Sequence, residues 1–420
     1  MKSTLKLCLK AGIILIGGIG LGSLLLILVY MLPLDPIREH VSQSLEVLDT
    51  EGENPYLIEG YKGSSLDNHT DALMLANASY RSDEPFYKAA MLVERRTEDT
   101  DEDEPIECLK HDMADEPETE VTSYGRYWHG YLVLLKPLLC VMNYQQIRML
   151  NTVIYIILLL AVFAGFWKRK MWRGALAFLL ALSVMFPGSV MKSMQFSTCY
   201  YMGTIACLVV LAGYDRLKGK ERLLYVFLVA GMATSYVDFL TYPVYTVGMP
   251  LVLVCVLEAE PWLKRLISLV KCGAAWAIGY AGMWAGKWLV GSLITGRSIL
   301  SDAVNMVNYR VTGEVTGENI NGIMAVLRNG YVLANLRGVI VILLLVLGII
   351  ISLKKYKSKE KAPCYLLVLL SCMPVAWYLV IANHSYVHYW YTFRGLAVFV
   401  FALGMIPEML YRSGETEERS

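Results

Sequence analysis

Apolar residues fall in long unbroken runs along most of this chain, and the polar residues between them come in short clusters. The first run, Ala11 to Leu32, follows lysines at Lys2, Lys6 and Lys10. A run of roughly 20 apolar residues crosses a bilayer as a helix, because a helix satisfies its backbone polar groups internally. The runs are continuous and lack the alternation of a membrane β-barrel. Further runs at about 149–167, 174–191, 197–214, 223–240, 242–258, 266–291, 334–353, 364–382 and 390–410 predict further spans. The expected fold is an all-α polytopic membrane protein of about ten transmembrane helices. The first run is too long for a signal peptide and has no small-residue cleavage site, so it reads as an uncleaved span.

Basic clusters set the expected orientation. They are Lys168-Arg169-Lys170 with Arg173, then Arg216, Lys218, Lys220 and Arg222, then Lys264-Arg265, then the lysines from Lys354 to Lys361. Two runs separate each cluster from the next, so all lie on one side, which the positive-inside rule makes the cytoplasm. Four regions follow: 1–32, an amino-terminal tip and first span; 33–147, an extracytoplasmic loop; 148–411, the helix bundle; and 412–420, a cytoplasmic tail. The expected location is the cell membrane, as a multi-pass protein of a bacterial plasma membrane.

The loop after the first span interrupts the apolar pattern. Pro33-Leu34-Asp35-Pro36 ends the helix, and the stretch Glu98 to Glu120 holds about a dozen carboxylates against one lysine. That stretch predicts a solvated segment of little order. Tyr131 to Met142 is apolar but short and contains Lys136-Pro137, which suits an interfacial helix. Asn143 to Arg148 is a polar step before the next span.

Composition narrows the class. The chain is 56% hydrophobic and 18% charged, with a mean hydropathy of +0.45, which excludes an ordinary soluble domain of this length. The net charge of +1 says nothing about nucleic acid, but no basic arm or RNA-binding motif appears, so no nucleic-acid partner is expected. The nine cysteines show no CxxC spacing, and most sit inside apolar runs, where they act as small hydrophobes. Gly282 and Gly286 form a GxxxG pair that predicts close helix packing within one bundle. Sequons at Asn68, Asn77 and Asn383 fall in the expected outer segments.

Candidate chemistry gathers on the side opposite the basic clusters. Asp67 and Asp71 lie one helical turn apart at the start of an amphipathic run. Asp67 also reads as a helix cap and Asp71 as a first-turn acid. Arg126, His129 and Lys136 mark the return of the loop to the membrane. Lys192 and Asp238 lie in outer turns, and Lys287 lies near the outer end of its span. His384, His388 and Arg394 enter the last span. An arginine inside the membrane is costly and therefore a functional suspect, whereas Lys136, Lys192 and Lys287 fit snorkelling to lipid headgroups. His384 and His388, four apart, lack a third metal ligand, so no metal site is assigned. Cations and aromatics near the interface suit a lipid-linked phosphate, and a carboxylate above them suits deprotonation of an acceptor hydroxyl.

This arrangement resembles the GT-C superfamily of integral membrane glycosyltransferases. The likeness rests on the span pattern, the large first outer loop, Asp67-x-x-x-Asp71 and Arg126-Tyr127-Trp128-His129. The adjacent acidic pair of many members is absent. The resemblance implies inverting transfer of a sugar from a polyprenyl-phosphate donor to a glycan or lipid acceptor. It implies a catalytic acid in the loop, with Asp67, Asp71 or Asp35 in that role. Arg126, His129, Lys192, His384, His388 and Arg394 are the expected substrate-binding residues. It implies no organic cofactor and leaves a divalent metal open. Two rivals are a flippase for lipid-linked saccharides and a non-catalytic envelope-assembly protein whose loop binds a partner.

Overall fold

Helix dominates the computed structural model, which describes residues 2–97, 104–117, 120–218, 221–312, 314–315, 318–356 and 362–419. The first run forms α1 (Lys2–Val29). Beyond Pro33 the chain builds a layer of short elements: α2 (Leu34–Ser42), α3 (Leu45–Glu51), α4 (Asn68–Ser79) and α5 (Phe86–Leu92). β1 (Glu94–Thr97), α6 (Pro105–Met113), β2 (Glu120–Ser123) and α7 (Leu132–Leu139) complete it. β1 and β2 pair antiparallel, with Glu94 opposite Ser123.

The bundle follows. Asn143 and Gln146 form a capping box that starts α8 (Tyr144–Lys168), so the polar step is the beginning of the helix and not a gap before it. Next come α9 (Trp172–Val184), α10 (Pro187–Lys192), α11 (Met194–Leu217), α12 (Arg222–Val237), α13 (Val244–Leu257) and α14 (Trp262–Thr295). α15 (Ile299–Thr312) and α16 (Gly322–Tyr331) precede α17 (Leu336–Lys355). The chain ends with α18 (Ala362–Ser371), α19 (Met373–Val380), α20 (Ala382–Val387), α21 (Tyr389–Thr392), α22 (Ala397–Gly404) and α23 (Ile406–Arg419).

Among the described residues, seven helical stretches are long and apolar enough to cross a membrane. They are α1 from Leu5, α8, α11, α14, α17, Pro363–Val380 and Tyr389–Ser413. Helices α9, α12 and α13 are apolar but shorter, with 13, 16 and 14 residues. They stand where three further full spans are expected, and local chemistry ends each one. Pro187 follows α9. Asp238 stops α12 by accepting the Thr241 N–H at 3.0 Å. Pro243 precedes α13 and Glu258 follows it.

Glycines set the tightest crossings. A Cβ on Gly231 of α12 would strike the Trp276 carbonyl, and one on Gly279 of α14 would strike the Leu228 carbonyl. Gly282 and Gly286 instead take Leu15 and Ile19 of α1, so the GxxxG pair packs inside the chain.

The basic turns and the insert lie at opposite ends of this bundle. At one end Arg169 pairs with Asp215 at 3.0 Å, Arg412 reaches the Arg169 carbonyl at 3.2 Å, and Arg173 reaches the Tyr356 hydroxyl at 2.9 Å. Lys220, Lys357, Lys359 and Lys361 lie outside the described residues. At the other end the Trp128 indole donates to the Met283 carbonyl at 2.7 Å, and the Tyr144 N–H donates to Ser44 Oγ at 3.0 Å. Ile37, Val41, Ala72, Leu75 and Leu109 of the insert share one apolar core with Leu26 of α1 and Tyr144 of α8.

One expectation is corrected here. The acidic stretch is not simply a solvated loop. Its middle forms α6, which buries Ile106, Cys108 and Leu109, and Arg38 holds Asp112 at 3.3 Å. Periodic apolar residues outweigh the local charge density; residues 98–103 and 118–119 of the stretch lie outside the described ones. The sequon asparagines Asn68, Asn77 and Asn383 are buried, so this fold offers none of them as a glycan acceptor.

Candidate functional site

The first turn of α4 carries both aspartates, and its two sides face different surroundings. Asp67 caps the helix, one oxygen accepting the Thr70 N–H at 3.0 Å. Its own N–H donates to Ser193 Oγ at 3.2 Å. The other carboxylate oxygen, Oδ2, is buried without a partner. Burial holds this carboxyl above the usual carboxylate range, against the opposing pull of the Thr70 hydrogen bonds, His69 and Arg394.

Asp71 points into the bundle. It accepts the Tyr144 hydroxyl at 2.6 Å and the N–H groups of Met194 at 3.0 Å and Gln195 at 3.1 Å. It thereby satisfies the open donors at the start of α11. Burial pushes its carboxyl up to about 6, while the Tyr144 hydroxyl and Arg148 pull the other way. Asp35, the third acid considered, is an exposed partner of Arg81 at 3.2 Å.

Asp67 lines a cavity of about 350 Å³ between the insert and the bundle, a size typical of small-molecule sites. Arg95 aside, six polar atoms of its described lining residues are buried and unpartnered. Three accept hydrogen bonds: Asp67 Oδ2, Asn77 Oδ1 and Gln195 Oε1. Three are nitrogens: Arg310 Nε, His388 Nδ1 and Trp390 Nε1. Native interiors rarely leave such groups unmet, so this cavity has the donors and acceptors to hold a polar ligand.

His384 and His388 meet in this cavity around a cation. Nη1 of Arg310 donates to His384 Nδ1 at 2.8 Å and to His388 Nε2 at 2.9 Å. His384 Nε2–H donates to the Leu240 carbonyl at 2.8 Å. Both rings must be neutral to accept from a guanidinium. Burial and then the charge of Arg310 hold His388 down at about 3; burial, His388 and Arg310 hold His384 well below the usual imidazole range. The two imidazoles thus ligate a guanidinium. Among the described residues, no group of three or more His, Cys, Asp or Glu side chains has a metal-holding arrangement.

A second cavity, of about 180 Å³, adjoins the first; Tyr127 and Arg310 line both. Its walls are aromatic and aliphatic, with Tyr280, Trp284, Trp288 and Trp377 on them. Arg126 lies at its rim, paired with Asp302 at 3.1 Å and stacked 4.3 Å from the Tyr124 ring.

The remaining candidates stand elsewhere. His129 is buried beside the polar cavity, its Nε2–H donating to the Tyr124 carbonyl at 2.9 Å and its Nδ1 accepting from the Tyr131 hydroxyl at 3.2 Å. Burial lowers it to about 3. Lys192 is exposed at the end of α10 and lines neither cavity. Arg394 is fully buried and spends its donors on carbonyls: Met185 at 3.1 Å, Trp390 at 3.0 Å and Gly63 at 3.4 Å.

The two other lysines do not snorkel. Lys136 donates to the Ala78 carbonyl at 2.7 Å, in the last turn of α4. Lys287 donates to the Met91 carbonyl at 2.9 Å, in the last turn of α5. Both are buried. Each meets the negative end of a helix dipole, which rewards an inward turn of the side chain.

Arg310 is the residue the sequence reading missed. The signal was present: Ile299, Ala303, Met306, Val307 and Arg310 recur at helical spacing between the apolar runs at 266–291 and 334–353. Gln195 carried no such signal, being a single amide within the apolar helix α11, and Asn77 was marked only as a sequon. Compared with known protein families, with curated proteins and with solved structures, the chain matches none.

Proposed function

We propose that this protein is a membrane glycosyltransferase that moves a sugar from a polyprenyl-phosphate donor to a glycan or lipid acceptor of the cell envelope. The reading sets the seven long and three short apolar helices across a bacterial plasma membrane. The basic turns face the cytoplasm and the insert faces outward. The separation of insert and basic turns to opposite ends of the bundle supports this orientation.

The observation that carries the reading is the open oxygen of Asp67, buried in a polar cavity that joins an aromatic one through Arg310. In the proposed reaction Asp67 takes the proton of an acceptor hydroxyl. The acceptor oxygen forms a bond to the anomeric carbon. The bond from that carbon to the phosphate oxygen breaks, and the lipid phosphate leaves with the electron pair. A cation beside that phosphate stabilises its growing charge. Asp67 serves as the base and Asp71 as a structural cap, because three donors already occupy the Asp71 carboxylate. A partner-binding role for a free insert has less support, since the insert shares its core with α1 and α8.

The test is transfer of radiolabelled sugar from a panel of polyprenyl-phosphate donors by the purified protein. The reading expects transfer from at least one donor. It also expects Asp67→Asn to reduce transfer by about 100-fold or more while folding is unchanged. Full activity in that variant would remove the assignment of the base.

A further inference from the structure

We propose that Arg310, held by His384 and His388, is the anchor for the phosphate of a prenyl phosphate. The hydrocarbon chain lies in the aromatic cavity, and the group beyond the phosphate lies in the polar one. The proposal rests on the donor class of the preceding reading and assigns it a place and a residue.

The first argument is charge. Three other arginines have carboxylates: Arg126 has Asp302, Arg148 has Glu51, and Arg297 has Glu84. Among the described residues no carboxylate pairs with Arg310, whose side-chain partners are two neutral rings. A positive charge at the mouth of a low-dielectric cavity, compensated only by dipoles, is a place for an anion.

The second argument is geometry. The two imidazoles consume both protons of Nη1 and fix the plane of the guanidinium. Nε is left buried and unpartnered. A guanidinium with its plane fixed presents its remaining donors in a fork that matches an oxyanion. His384 is itself anchored on the Leu240 carbonyl, so the clamp is tied to the turn after α12. His384 and His388 are positioning residues in this scheme.

The third argument is amphipathicity. Arg310 and Tyr127 belong to the walls of both cavities. On one side lie Tyr280, Trp284, Trp288 and Trp377; on the other lie the open groups of Asp67, Asn77 and Gln195. A ligand lying across the junction needs an apolar part, an anion and a polar part in that order.

The experiment uses the full-length protein in detergent and measures thermal stabilisation by three probes: farnesyl phosphate, farnesol and inorganic phosphate. Farnesyl phosphate is expected to bind about tenfold or more tightly than either alone, from the worth of one charge-assisted contact. Arg310→Gln is expected to lose that advantage and to keep the farnesol response. His384→Ala and His388→Ala are expected to weaken farnesyl phosphate but not farnesol. Arg310→Lys is expected to fail as a rescue, because an ammonium has no planar fork.

Equal binding of farnesol and farnesyl phosphate would overturn the proposal, as would an Arg310→Gln variant that still discriminates between them. Tight binding of inorganic phosphate alone would show a free-ion site and overturn the lipid part. Asp67→Asn is expected to keep the preference for farnesyl phosphate. Discrimination without transfer from any sugar donor would uphold the anchor and sink the transferase reading. Transfer with unchanged donor KM in Arg310→Gln would uphold the transferase reading and sink the anchor.

Discussion

The two sides of the first turn of α4 hold the same functional group and treat it in opposite ways. On the bundle side Asp71 receives three donors at 2.6–3.1 Å and organises the start of α11. On the cavity side Asp67 spends one oxygen as a cap and leaves the other open. The cations divide similarly. Lys136, Lys287 and Arg394 are buried against carbonyls, and Arg310 is held by neutral rings beside open acceptors. Burial of a charge therefore does not separate architecture from chemistry here. What separates them is whether the chain itself supplies the partners.

The largest expected effect tests the cavity side. Asp67→Asn keeps a competent cap, so its stability is expected to change by less than about 1 kcal/mol. The proposed transfer is expected to fall by about 100-fold or more in a radiolabel assay. The bundle side should respond in reverse. Asp71→Ala leaves three buried donors unmet and is expected to cost about 3 kcal/mol or more in denaturant unfolding. Protein that does fold is expected to retain its affinity for ligands. If Asp71→Ala were stable and inactive while Asp67→Asn worked normally, the two roles would have to be exchanged.

Acid provides a third probe. His129 and His388 are held neutral down to about 3, and His384 is shifted the same way. The unfolded chain takes up protons on these rings below about pH 6.5, where the native state does not, so they lower stability as pH falls. Asp67 and Asp71 are raised; the native state binds their protons more readily than the unfolded one, so they add stability on acidification. The Asp71 contribution is confined to the interval between 3.8 and about 6. The three rings outnumber the two acids, and the expected result is a lower melting temperature at pH 5 than at pH 7. His388→Gln, which keeps an acceptor for Arg310, is expected to flatten that slope by up to about 1.4 kcal/mol per pH unit. An unchanged slope would show that His388 is protonated in the native state. The smallest effect is expected at Lys192, where Lys192→Ala should leave stability within about 0.5 kcal/mol and donor affinity unchanged. A large loss there would return this lysine to the binding site.

The all-helical, membrane-type architecture was legible because apolar runs of span length have few alternatives, and every expected run falls on one helix or on consecutive shorter ones. The exact lengths of α9, α12 and α13 were not, because Asp238, Pro243 and Glu258 end helices inside stretches that remain apolar on average. At the site, Asp67 stood out as an acid in the loop and His384 and His388 as polar residues at the entry to the last span, and all three line one cavity. The lysines misled. Sequence alone does not distinguish a side chain reaching for headgroups from one turned inward to a carbonyl, and both Lys136 and Lys287 turn inward. Arg310 was hidden because an amphipathic helix of 14 residues between two spans looks like a loop when judged by average hydropathy.

Trp284, Trp288 and Trp377 give the aromatic cavity a built-in optical signal. Indole emission shifts and quenches with the polarity and contacts of its surroundings, so occupancy of that cavity is readable in the unlabelled protein. Brominated or nitroxide-bearing chains placed there would dim these indoles, whereas Trp167 and Trp172, in edge-to-face contact at the far end of the bundle, would serve as the internal reference.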